Sequence, residues 1–119
     1  MLDALLARLS DERDTVIDLQ RRLVAIEALG PENTSTPTRA EGPKAEYLWD
    51  FLQGLGLTDI TQIPAPDARV MGGERPNIAV RIPGTDSRTF WIISHLDIVP
   101  PGDLALWRSD PYSLVVDGD

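Results

Sequence analysis

The single histidine of this 119-residue chain, His95, comes just after the apolar run Phe90-Trp91-Ile92-Ile93 and precedes Asp97 by two positions. In an extended strand successive side chains alternate faces, so an imidazole and a carboxylate at i and i+2 share one side. That arrangement suits metal binding. A ligating imidazole offers one nitrogen to the metal and donates its other N–H to a carboxylate or carbonyl, which fixes tautomer and ring orientation. An H-x-D tripeptide alone is a weak signal, because a lone histidine beside an apolar strand is more often a structural or half-exposed residue. The residues just downstream narrow the reading. Pro100-Pro101 removes two ladder donors, so the chain must turn just past Asp97. His95 and Asp97 are therefore predicted where a central strand hands over to a loop, the end at which ligand sites of open α/β sheets gather.

The elements that must position this pair can be read from periodicity. Leu2, Leu5, Leu6 and Leu9, then Val16, Ile17, Leu23, Val24 and Ile26, recur with helical spacing and predict an amphipathic N-terminal helix. Ser10-Asp11-Glu12 has the character of a fresh helix start, so the stretch reads as one helix or two, ending at Gly30-Pro31. A second apolar stripe, Ala45, Leu48, Trp49, Leu52 and Leu55, predicts a helix from Pro43 closed by Gly54 or Gly56, with Trp49 in packing contact. Leu57 to Ile63 and Asn77 to Ile82 read as strands, and Phe90 to Ile93 reads as a strand buried on both faces. Ser113 to Val116 reads as a further short strand before an Asp117-Gly118 turn, with only Asp119 beyond it. The order predicts an α/β layered domain with a mixed sheet. One face of that sheet would be left open, which invites association.

Other chemistries find little support. There is no cysteine, so disulfides and thiol catalysis are excluded, and no phosphate-cradling or nucleophile-elbow pattern is present. Asp103, Asp110, Asp117 and Asp119 lie among Pro and Gly turns and read as loop aspartates rather than as a metal cluster. Arg69, Arg75, Arg81, Arg88 and Arg108 have the chemistry to bind a carboxylate, with solvation or ion pairing as the default. Trp107 reads either as a loop anchor or as a cleft-lining residue. Asn33 to Thr38 is polar and turn-rich, an exposed connector.

A hydrophobic content of 42% with 25% charged residues is that of a globular domain, and a net charge of -8 argues against a nucleic-acid partner. No stretch approaches the ~20 apolar residues of a membrane span. Asp3 stands where a secretory signal would be basic, so a cytoplasmic location is expected.

The longer pattern His95-Leu96-Asp97-Ile98-Val99-Pro100, with Gly102, Trp107 and Asp110-Pro111-Tyr112, resembles the di-zinc amidohydrolase and exopeptidase family. That family includes acetylornithine deacetylase, succinyl-diaminopimelate desuccinylase, glutamate carboxypeptidase and aminoacylase. Arg75-Pro76-Asn77 and Pro83-Gly84 match it as well. The chain departs from the pattern at Ala25-Ile26-Glu27-Ala28, where relatives have an apolar-Pro-Ser step before a substrate-proximal loop, and at Tyr112, where a phenylalanine is usual.

The resemblance implies that residues 1–119 form a single segment, the incomplete N-terminal part of a three-layer α/β/α catalytic domain of the zinc-exopeptidase kind. It implies that His95 is a ligand to one of two zinc ions, with cobalt as a substitute, and that Asp97 is the catalytic-site carboxylate orienting its imidazole. The family's remaining ligands and its glutamate base would lie after Asp119. The implied reaction is attack of a metal-bridged water on an amide or peptide bond of a small N-acyl amino acid or short peptide. A homodimer would be one arrangement of the complete enzyme, with no membrane partner. Alone, the 119 residues are expected to be inactive and to bind zinc poorly, since a catalytic zinc wants three protein ligands. The alternative is a non-catalytic scaffold or interaction module derived from that fold.

Overall fold

The computed structural model describes residues 1–118, in two units. The first comprises Met1–Ile26 with the segment from Pro101 onward, the second Glu27–Pro100.

In the first unit, α1 (Leu2–Asp11) and α2 (Arg13–Ala25) are separate helices that meet at Glu12. Asp3 and Asp14 lie in the first turns and Arg8 and Arg22 in the last, each charge complementing the helix dipole. Arg8 and Glu12 add an i,i+4 pair. The helical run ends at Ala25, with Ile26 already extended, rather than at Gly30-Pro31 as the sequence suggested. The apolar stripe is present but uncovered, with Leu2, Leu5, Leu6, Leu9 and Val16 all exposed. Further on, Asp103 caps a 3-10 turn over Leu104–Leu106 through the Ala105 N–H. Asp110 accepts from the Tyr112 N–H and the Ser113 hydroxyl. Both are turn-forming aspartates, as their Pro and Gly neighbours indicated. Trp107 anchors this loop through its indole N–H, which donates to the Pro101 carbonyl at 2.9 Å. Among the described residues Ser113 to Val116 joins no ladder, and Asp119 lies outside them.

The second unit is built on α3 (Gly42–Gly54), which has Pro43 in its first turn and ends at Leu55, with Gly56 at φ 79° just beyond. The strands β1 (Ile60–Gln62) and β4 (Ile78–Val80) pair antiparallel, Thr61 opposite Ala79. Bonds from Ile63 N–H to Asn77 and from Arg81 N–H to Asp59 extend the pairing at each end. Between them β2 (Ala65–Pro66) and β3 (Glu74–Arg75) form a small antiparallel ribbon. Its turn contains Gly72 and Gly73, both at positive φ, where a β-carbon would be strained. Among the described residues, the buried apolar side chains are the small ones Ala28, Ala40, Ala45 and Val70. Trp49 is only half buried.

Asp67 closes the β2–β3 turn by accepting from the Arg69 backbone and guanidinium. The hydrogen bonds from the Arg69 side chain hold its carboxyl down to about 2, against an ordinary 3.8. Because the folded-state value is depressed, whatever stability this carboxylate adds is present above 3.8 and disappears as pH falls through about 2. Arg69→Gln is expected to return the Asp67 midpoint toward 3.8, read by NMR titration of its side-chain carboxyl carbon.

The segment before the histidine corrects the sequence reading. Phe90, Trp91, Ile92 and Ile93 form no strand and are 72–89% exposed. A strand needs a neighbour for its N–H and C=O groups and a layer over each face, and no described segment supplies these to 90–93. The expected mixed sheet is replaced by two antiparallel pairs and one isolated parallel bridge, Leu29 with Ile98. The helices and small sheets are compatible with part of an α/β domain.

Candidate functional site

His95 and Asp97 lie in an irregular segment, so the expected strand-end geometry is not what brings them together. The chain is pinned one residue later, where the Ile98 N–H donates to the carbonyl of fully buried Ala28 at 2.9 Å. Just upstream the His95 ring reaches the main chain two residues on. His95 Nδ1 lies 2.8 Å from the Asp97 backbone oxygen and 3.5 Å from the carboxylate Oδ1. The shorter distance is the hydrogen bond, and the longer one lies outside hydrogen-bond range but within that of an ion pair. A carbonyl oxygen can only accept, so Nδ1 carries the proton. In the neutral ring the lone pair then resides on Nε2. With the His95 side chain 84% exposed, Nε2 is the nitrogen left to coordinate.

Asp97 thus orients the imidazole mainly through its main chain, which leaves the carboxylate other work. Its Oδ2 lies 3.7 Å from Arg75 Nη2. Arg75, the last residue of β3, is itself gripped by Glu41, with Nε donating to Oε1 at 2.7 Å and Nη2 to Oε2 at 3.1 Å. This bidentate fork joins residues 34 positions apart, and the Glu41 side chain is only 7% exposed. The hydrogen bonds to Glu41 raise the Arg75 guanidinium above its ordinary range, so it is a fixed cation.

Lys44, one turn into α3 from Glu41, is also buried. Burial pulls its ammonium below the ordinary lysine value, and the nearby Asp97 carboxylate opposes that shift. Two cations, Arg75 and Lys44, therefore act on the Asp97 carboxylate. Glu41 reaches its place through the preceding turn, where Ala40 has φ 46° and its N–H donates to Thr38 Oγ1. A left-handed alanine is costly and persists only where surrounding contacts determine it.

The two residues singled out from the sequence are thus adjacent in space, and Glu41, Lys44 and Arg75 join them. Arg75 carried a signal, since it opens Arg75-Pro76-Asn77. Nothing in the sequence distinguished Glu41 or Lys44 from ordinary surface charges. Among the described residues, no three histidine, aspartate or glutamate side chains converge as a metal shell. The donor chemistry fits one contribution to a metal centre, a neutral imidazole with its second nitrogen tied back. The described helices include none long and apolar enough to cross a membrane.

Comparison with known proteins bears on this arrangement. The chain is 34% identical over 107 residues to an uncharacterized metallohydrolase of Methanocaldococcus jannaschii, covering 87% of this chain and 25% of that protein. It is 34% identical over 105 residues to a second uncharacterized metallohydrolase, from Methanococcus maripaludis, covering 83% of this chain and 24% of that protein. It is 48% identical over 85 residues to a succinyl-diaminopimelate desuccinylase of Methylobacterium sp. strain 4-46, covering 68% of this chain and 19% of that one. The chain spans about a quarter or less of the length of the curated relatives it matches. No family model matches it, and no solved structure does. The similarities support a metallohydrolase-like family at partial coverage.

Proposed function

We propose that this chain is the N-terminal portion of a two-zinc hydrolase with a three-layer α/β/α catalytic domain, acting in the cytoplasm. Its substrate class is a small N-acyl amino acid or short peptide, cleaved at an amide or peptide bond. The observation that carries the reading is the His95 imidazole, held by Asp97 through Nδ1 with Nε2 exposed, in a chain similar to proteins named metallohydrolase.

In this reading His95 Nε2 holds one zinc ion, and cobalt would suit the same donor. When bound, the metal pair supplies Lewis-acid polarisation of the scissile carbonyl and nucleophilic water at neutral pH. The chain's own residues hold the ligand in place. The Asp97 carbonyl keeps the proton on Nδ1, and the Asp97 carboxylate lies 3.5 Å from the same nitrogen. Proton transfer to the leaving group falls to a glutamate base outside these 119 residues. A homodimer is the assembly we favour for the complete protein.

A second reading, an interaction module that has lost its chemistry, draws on the exposed run Phe90 to Ile93. Calorimetric titration with zinc separates the two. We expect a protein of the relatives' length to take up zinc tightly and hydrolyse N-succinyl or N-acetyl amino acids. The 119-residue chain should bind it weakly, because one imidazole gains little free energy. Stoichiometric submicromolar binding by the short chain that survives His95→Ala would place the ligands elsewhere. Failure of the longer protein to bind any divalent metal would favour the module.

A further inference from the structure

The Glu41–Arg75 fork takes no part in holding a metal, yet it ends at the residue that holds the imidazole. A guanidinium NH2 group has two hydrogens, and Arg75 Nη2 has two carboxylates before it, Glu41 Oε2 at 3.1 Å and Asp97 Oδ2 at 3.7 Å. Glu41 also takes Nε, which leaves the plane of the guanidinium little freedom to turn. Asp97 is restrained from two directions. Its main chain leads directly into the Ile98 bond to Ala28, and its Oδ2 faces a cation that cannot swing away. Its other oxygen, Oδ1, lies 3.5 Å from His95 Nδ1.

We propose that Arg75, clamped by Glu41, is a positioning residue that sets the orientation of Asp97 and thereby the tautomer of His95. The proposal rests on the reading of His95 as a metal ligand for its functional meaning, but its geometry is independent of metal. A residue on a separate ribbon, 20 positions upstream of the histidine, determines which imidazole nitrogen is free to coordinate. Without the cation, the Asp97 carboxylate would be free to swing toward solvent, the irregular segment over 95–97 would loosen, and Nδ1 would lose its fixed acceptor.

The chain's single histidine makes the test direct, since a sample labelled with nitrogen-15 histidine reports His95 alone. Spectra of the 119-residue chain, taken where the imidazole is neutral, give the ratio of the Nδ1–H to the Nε2–H form. Arg75→Met is expected to lower that ratio about fivefold, the size of losing one hydrogen bond of ordinary net strength. Arg75→Lys, which keeps charge but not the fork, should recover part of it. In an Asp97→Asn background Arg75→Met should add nothing. An unchanged ratio in Arg75→Met with the β1 and β4 amide signals intact would overturn the proposal. Should that variant not fold, the unmodified chain decides. Nuclear Overhauser contacts between the Arg75 guanidinium and the Asp97 β protons are expected, and their absence would also overturn it. The ligand reading stands or falls separately, on whether zinc shifts the Nε2 resonance in a protein of the relatives' length.

Discussion

His95→Ala is expected to abolish binding of one of two zinc ions in a protein of the relatives' length that carries this segment, and to lower turnover by more than ~100-fold. That loss should exceed the roughly 10–100-fold typical of changes that only touch a ligand's support. Asp97→Asn is expected to behave differently. The backbone carbonyl that accepts from Nδ1 survives the substitution, so the ring keeps an acceptor, though one less firmly held by Arg75, and most of the metal should stay bound. What is lost is negative charge 3.5 Å from the ring and opposite Arg75, and turnover should fall by about 10–100-fold. Metal analysis by mass spectrometry alongside initial rates separates the two variants. Full activity in Asp97→Asn with normal metal would show that only the main chain of Asp97 matters.

The second large effect concerns stability. Arg75→Met leaves the Glu41 carboxylate, 7% exposed, without its partner, and an unpaired buried charge typically costs ~3–5 kcal/mol. Since the Arg75 side chain keeps 25% exposure, water reaches part of the pair, and a cost of about 3 kcal/mol is expected. Glu41→Gln should cost less, because the arginine left behind is the more exposed partner and keeps a neutral oxygen to bond. Removing both, as Glu41→Gln with Arg75→Met, should restore part of the stability lost in Arg75→Met. Urea unfolding monitored by circular dichroism measures all three. Equal costs for the two single variants would mean that Glu41 is better hydrated than its burial implies.

The features legible in the sequence are those set by neighbours along the chain. Pro43 and Gly56 bracket a helix found over Gly42–Gly54, because proline suits a first turn and glycine a left-handed stop. Asp103 and Asp110 form local turns with N–H groups two residues on. His95 and Asp97 are adjacent in space for an equally local reason. A two-residue separation lets the ring reach back to the Asp97 carbonyl even though no strand is present.

What the tertiary structure decided depends on partners distant in sequence. Glu41 and Lys44 are buried because α3 packs where it does, and burial cannot be read from a charged residue's neighbours. The fork from Glu41 to Arg75 spans 34 positions and exists only once the N-terminus of α3 and the end of β3 are brought together. Phe90 to Ile93 makes the same point in reverse. Its apolar character describes a strand that would be buried if flanked, and whether it is flanked is decided by chain segments elsewhere. Composition marks a segment as suited to a ladder, but hydrogen-bond partners and a covering layer turn it into one. Residue types and spacing were therefore enough to single out an imidazole and its aspartate as a pair. The cation that faces that aspartate became visible only in three dimensions, because an ion pair is a property of distance.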